Sequence, residues 1–165
     1  MGARDESECL LAIDASIGEE LWVTKIGSLF REAHGNGPRG TPAVEGNHLY
    51  ALSGRGNLVC ANVADGKILW QQSMTALGGT IPHWGYTESV LVDGDQVVCT
   101  PGGEKGALAA FEKITGTPRW QSAQFTDPAH YSSIVAAGIN ATRQYVQITE
   151  RSVVGLAAKD GTATT

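Results

Sequence analysis

Three histidines fall one to each of the three long stretches that lack a strand pattern. His34 lies in Gly27 to Gly40, His83 in Ser73 to Glu88 and His130 in Ser122 to Tyr131. Arg39, Trp84, Tyr86 and Tyr131 accompany them. Imidazoles and aromatic rings gathered on one rim could bind a metal ion or a planar ligand. The alternative is that the histidines are solvated or cap turns, while Trp84 and Tyr131 cover the ends of sheets. The carboxylates offer less. Asp93 and Asp95 flank Gly94 in a hairpin turn and Asp127 precedes Pro128, so turn chemistry accounts for all three. Pro101 to Gly106 lacks the spacing of a phosphate loop, and Ser132 and Ser133 follow no nucleophile-elbow pattern. No catalytic residue and no metal ligand set is assigned on these grounds. Cys9, Cys60 and Cys99 are odd in number and without metal-site spacing, so they read as small apolar strand residues.

The elements that must carry these loops repeat. Gly18, Gly66, Gly116 and Gly161 each close a similar phrase, and Trp22, Trp70 and Trp120 stand four residues beyond the first three. The fourth phrase reaches Thr165 where the next Trp would stand. Spacing in this range marks a repeat architecture. Within one repeat, Thr41 to Asn62 reads as strand, Gly-Asn hairpin, strand, Gly-Arg-Gly turn and strand, and Lys67 to Gln71 adds a fourth. Ser89 to Cys99, Ala107 to Glu112 and Pro118 to Gln121 form a second copy; Ser133 to Ala137, Gln144 to Ile148 and Val153 to Leu156 begin a third. Cys9 to Asp14 and Glu20 to Lys25 match the outer strands of a preceding copy. No helix-period segment is visible. The reading is all-β, with one partial β-propeller over 1–165 and blade segments at 1–25 (outer strands only), 40–73, 88–122 and an incomplete 131–165.

The tryptophan phrase has a physical logic. Its glycine permits a positive φ at the turn between strands three and four. Asp14, Asn62 and Glu112, four residues earlier, can hydrogen-bond across that turn. The residue six before the glycine is always small (Ala12, Cys60, Ala110, Gly155), which leaves room for an indole from the same or the adjoining sheet. Each indole buries roughly 150–250 Å², worth at most about 4–6 kcal/mol. A domain's whole margin is about 5–15 kcal/mol, so three such rings could decide stability.

Bulk properties narrow the partners. Twelve basic residues against 17 acidic ones give a net charge of −5, and no Lys/Arg cluster exists to displace phosphate counterions. Nucleic acid is therefore not expected as a partner. No apolar run is long enough for a transmembrane helix, and Met1 to Glu8 has no signal-peptide core. With charged residues at only 18 %, the chain is not a disordered polyampholyte.

These phrases resemble the repeat of the PQQ-like (quinoprotein-like) β-propellers, whose blades carry Ala-x-Asp-x-x-Thr-Gly-x-x-x-Trp. Ala12, Asp14, Gly18 and Trp22 match it, as do Asn62, Gly66 and Trp70, and then Ala110, Thr115, Gly116 and Trp120. The resemblance implies four-stranded antiparallel blades with each tryptophan packed between neighbours, and a periplasmic or cell-envelope location. The family includes quinoprotein alcohol dehydrogenases, polyvinyl-alcohol-dehydrogenase-like proteins and BamB-type outer-membrane assembly scaffolds. Its rings have about seven or eight blades, so the chain reads as a piece of a longer propeller, expected to meet missing blades or to self-associate. The expectation is a non-catalytic binding or scaffold module that recruits a protein or polymer. The rival is a dehydrogenase acting on alcohols or sugars with PQQ and Ca²⁺. For that enzyme the resemblance implies a catalytic Asp, a carboxylate-and-amide Ca²⁺ site and often an adjacent cysteine pair, and the sequence has no such pair.

Overall fold

The computed structural model describes residues 1–164, so Thr165 lies outside the described residues. Four antiparallel sheets follow one another along the chain, with no helix among the described residues. Sheet I holds β1 (Gly2–Arg4), β2 (Ser7–Ile13) and β3 (Glu20–Ser28). Sheet II holds β4 (Ala43–Glu45), β5 (His48–Leu52), β6 (Asn57–Asn62) and β7 (Ile68–Ser73). Sheet III holds β8 (Leu91–Asp93), β9 (Gln96–Cys99), β10 (Ala109–Glu112) and β11 (Pro118–Gln121). Sheet IV holds β12 (Val135–Ile139), β13 (Thr142–Ile148) and β14 (Val153–Ala157). An isolated bridge, Leu156 to Ala163, starts a fourth strand in sheet IV. Where sequence reading places two outer strands in the first copy, the short β1 adds a third; the turn at Asp5, with φ of +49°, folds it back onto β2.

The sheets fan from their first strands. β4 touches β8 and β8 touches β12. Two hydroxyl contacts tie this inner ring: the Thr41 amide donates to Ser89 Oγ and the Ser89 amide donates to Ser133 Oγ, each at 2.9 Å. Three apolar cores lie between successive sheets. Leu10, Ile26, Ala51 and Val59 pack between sheets I and II; Tyr50, Leu58, Val97 and Phe111 between II and III; Leu108, Ala110, Tyr145 and Leu156 between III and IV.

The outer ring is held by an indole set on a glycine. Ala12 pairs Trp22, Cys60 pairs Trp70 and Ala110 pairs Trp120 across strands three and four, and a register shift follows each pair. The shift leaves one extra residue immediately before each tryptophan (Leu21, Leu69, Arg119), and such bulges re-aim the neighbouring side chain. In the next sheet the turn glycines have nearly one conformation, with φ of +70° at Gly66 and +71° at Gly116 and Gly161. The amides of Gly18, Gly66 and Gly116 donate at 2.8 Å to the carbonyls of Asp14, Asn62 and Glu112. Side-chain oxygens of the same three residues accept further amides of the turn. The adjoining indole lies directly over the glycine. A Cβ on Gly66 would come within 2.5 Å of Trp22, one on Gly116 within 2.6 Å of Trp70 and one on Gly161 within 2.5 Å of Trp120. Gly18, at the free face of sheet I, meets nothing within 4 Å.

The three docks differ in polarity. Trp22 Nε1 donates to the Val63 carbonyl and Trp70 Nε1 to that of Lys113, both at 3.0 Å. Trp120 Nε1 is buried with no partner among the described residues. The carbonyl in the matching place, Ala158, accepts from Gln96 Nε2 at 2.9 Å.

Two glycines separate packing from backbone strain. Gly18→Ala and Gly116→Ala introduce the same positive-φ penalty, about 1–2 kcal/mol. Only Gly116→Ala also displaces an indole, adding about 1–3 kcal/mol of overpacking. Urea unfolding of both variants should show this excess, and equal losses would count against the dock. Trp70→Ala is expected to cost about 3–5 kcal/mol in the same measurement.

Candidate functional site

The segments that carry the chain from the outer strand of one sheet to the first strand of the next hold all the rim residues singled out in the sequence. The structure sorts them into three groups. Tyr86 belongs to the core: it is fully buried, its ring lies over Gly56, and its hydroxyl donates to the Pro101 carbonyl at 2.9 Å. His34 and Arg39 sit in the first loop around Glu32. The exposed His34 ring nitrogen is 3.0 Å from Glu32 Oε1, and Arg39 Nη2 is 3.6 Å from Glu32 Oε2. The bonds from His34 hold the Glu32 carboxyl below its ordinary range. The Arg39 guanidinium lies 5.8 Å from the centre of the Phe30 ring.

The remaining four gather. Trp84 stacks on Tyr131 with centroids 4.6 Å apart and planes at 26°. His83 and His130 meet the same indole edge-on at 4.2 and 5.0 Å. Trp84 Nε1 is buried without a partner among the described residues. Tyr131 remains 60 % exposed. Beside the cluster opens a cleft of about 410 Å³ lined by Ile81, Pro82, His83, Trp84, Pro128, His130 and Glu150 among others. Two successive loops and the β13–β14 turn build it. Thr87 Oγ1 donates to the His130 carbonyl at 3.3 Å and joins the loops. Asp127 Oδ2 accepts from Thr149 Oγ1 and Ser152 Oγ at 2.6 and 2.8 Å, which fixes the turn that presents Glu150.

Among the described residues no three His, Cys, Asp or Glu side chains converge to hold a metal ion. Two of the three carboxylates that the sequence offers are engaged elsewhere. Asp93 accepts from Arg143 at 2.7 Å and from the Tyr145 hydroxyl at 2.9 Å, so it links β8 to the neighbouring sheet and is held below its ordinary pKa, chiefly by the Arg143 bond. Asp127 is committed to the Glu150 turn. Asp93 and Asp127 therefore do not form part of a Ca²⁺ set here. All three cysteines are free and buried.

Sheets leaning on one another through repeated indole-on-glycine docks, around an inner ring of first strands, define a β-propeller of PQQ-like repeats. The family model described as outer membrane protein assembly factor BamB matches residues 6–164, and the chain belongs to this BamB-like PQQ-repeat family. It is 30 % identical over 80 residues to the outer membrane protein assembly factor BamB of Kangiella koreensis, a match that spans 48 % of this chain and 18 % of that protein. Two solved structures share the fold at low identity. The quinohemoprotein alcohol dehydrogenase of Comamonas testosteroni superposes with a TM-score of 0.70 at 14 % identity, over 96 % of this chain and 32 % of the enzyme. BamB from Moraxella catarrhalis gives 0.53 at 12 % identity, over 96 % and 57 %.

Sequence reading passed over two buried carboxylates. Glu8 bridges sheets I and II, accepting the amides of Phe30 and Gly54 at 3.0 and 2.8 Å. Its signal was an acidic residue beside the apolar run Cys9 to Ile13. Glu88, in the Trp84 loop, is 4 % exposed; one oxygen accepts the Thr100 amide and the other is buried with no partner among the described residues. Burial raises its pKa from 4.5 to about 7. The unfolded chain releases this proton in a window where the folded chain keeps it. Glu88 therefore stabilises fully below pH 4.5, and that contribution is lost as pH rises towards 7. The loss is on the order of 3 kcal/mol. Glu88→Gln should be more stable than the parent at pH 8 and lack this part of the slope between pH 5 and 8. Parallel melting curves for the two proteins across that window would refute the assignment.

Proposed function

We propose that this chain is part of a cell-envelope propeller that binds protein partners through its loop rim and catalyses no reaction itself. The observation that carries the reading is the Trp84, Tyr131, His83 and His130 cluster, which presents exposed aromatic surface beside a cleft and has no converging metal donors. Exposed aromatic rings on a rigid scaffold are the usual anchors of protein recognition. Membership of the BamB-like family, whose relatives are named for outer membrane assembly, supports the same reading. The rival, a quinoprotein dehydrogenase, draws on the fold shared with the Comamonas enzyme, and here Asp93 and Asp127 lie in structural bonds.

The open faces of sheets I and IV complete the reading. Ile13, Ile17, Leu21 and Val23 are exposed on the first, and Val135, Ile139, Ile148 and Val153 on the last. Further blades of the same repeat, or a second copy of this chain, would cover them. Sedimentation of the isolated chain should show association that rises with concentration, weakened by Ile17→Lys with Leu21→Lys. A monomer at every concentration would contradict this. For the rim, a photo-crosslinking phenylalanine at Tyr131 in the full-length protein should trap a discrete partner in cells. Reduction of a dye by the full-length protein with PQQ and Ca²⁺ would overturn the non-catalytic reading.

A further inference from the structure

We infer that the Trp84–Glu150 cleft receives a guanidinium or ammonium side chain from its partner. This inference rests on the partner-binding reading above and names the chemistry recognised there. The molecule supplies its own template one loop earlier. There an aromatic ring, Phe30, lies under the Arg39 guanidinium at 5.8 Å, with Arg55 at 6.0 Å, and Glu32 stands 3.6 Å from Arg39 as counter-charge. Ring, cation and carboxylate are all present, and Phe30 is sealed from water.

The second rim cluster has the ring and the carboxylate without the cation. Trp84 is the indole lining the cleft; Tyr131, stacked on it and 60 % exposed, lies beside the cleft and outside its lining. Glu150 is the only Asp or Glu lining the cleft, and no Lys or Arg lines it. Arg151, next in the turn, is exposed and outside the lining. Among the described residues no cation lies over Trp84 or Tyr131. A cation placed over an aromatic ring near a carboxylate gains from the ring quadrupole and from charge together. A neutral or acidic side chain gains neither. The cleft, at about 410 Å³, has room for the end of one long side chain and its neighbouring backbone. The net charge of −5 favours a basic partner at longer range.

The test uses two probes on the whole chain, acetyl-Gly-Arg-Gly-amide and the same peptide with citrulline, which keeps the shape and removes the charge. The Trp84 indole N–H resonance, assigned through Trp84→Phe, reports binding. The arginine peptide should move it. Citrulline in the probe, or Glu150→Gln in the protein, should each weaken binding about threefold to fivefold, the size of a partly exposed ion pair. Equal binding of both peptides would overturn the cation assignment and leave the rim as a partner surface, as would no shift with either. A Trp84 shift with PQQ and Ca²⁺, and none with the peptides, would overturn the cation assignment and the partner reading together.

Discussion

A glycine in the left-handed region with an indole laid over it is the contact on which the rest of this molecule depends. A four-stranded antiparallel sheet has two faces to bury and no means of doing so alone. Here each sheet leans on the next at the rim through Trp22 on Gly66, Trp70 on Gly116 and Trp120 on Gly161. The glycine answers two demands at once. Its φ near +70° closes the turn between the outer strands, and its missing side chain makes the floor of the dock. No other residue meets both. The bulge before each tryptophan gives the third part, because it turns the ring towards the neighbouring sheet.

With the rim fixed in this way, the crossover loops come from a rigid base and can hold side chains that add nothing to the core. The three loops use that freedom differently. The first packs against sheet II, with its own Arg39 and Arg55 of the β5–β6 turn over Phe30. The second and third meet, and their rings form one cluster across a blade boundary. Polar residues do more of the sheet-to-sheet work than the apolar pattern indicates. Glu8 spans sheets I and II, while Asp93 with Arg143 and Tyr145 spans sheets III and IV. Such bonds occupy Glu8 and Asp93, two carboxylates that could otherwise serve chemistry.

Much of the fold was legible because its signals are local. Turn glycines, alternating strands and the indole four residues on are each readable within a dozen residues, and the family phrase rests on the same positions. The site was legible only in part. His83, Trp84, His130 and Tyr131 could be named as loop residues, but Tyr86 in the same stretch went to the core, where it fills the space over Gly56. His34 stayed in its own loop with Glu32. Asp93 and Asp127 looked like turn residues and also tie distant segments, since one oxygen can end a hairpin while the side chain reaches another sheet. Glu150 gave no signal at all.

The amino-acid sequence by itself determined the repeat, the all-β class and the positions of the indoles, because each follows from backbone preference and short-range periodicity. Tertiary structure alone decided which loops share a cleft, which acids are spent on bonds between sheets, and that Trp120 lacks the acceptor that Trp22 and Trp70 find. Those outcomes depend on contacts between residues far apart in the chain, such as Gln96 reaching Ala158. No local pattern encodes contacts at such separations, so they appear only when the sheets are packed.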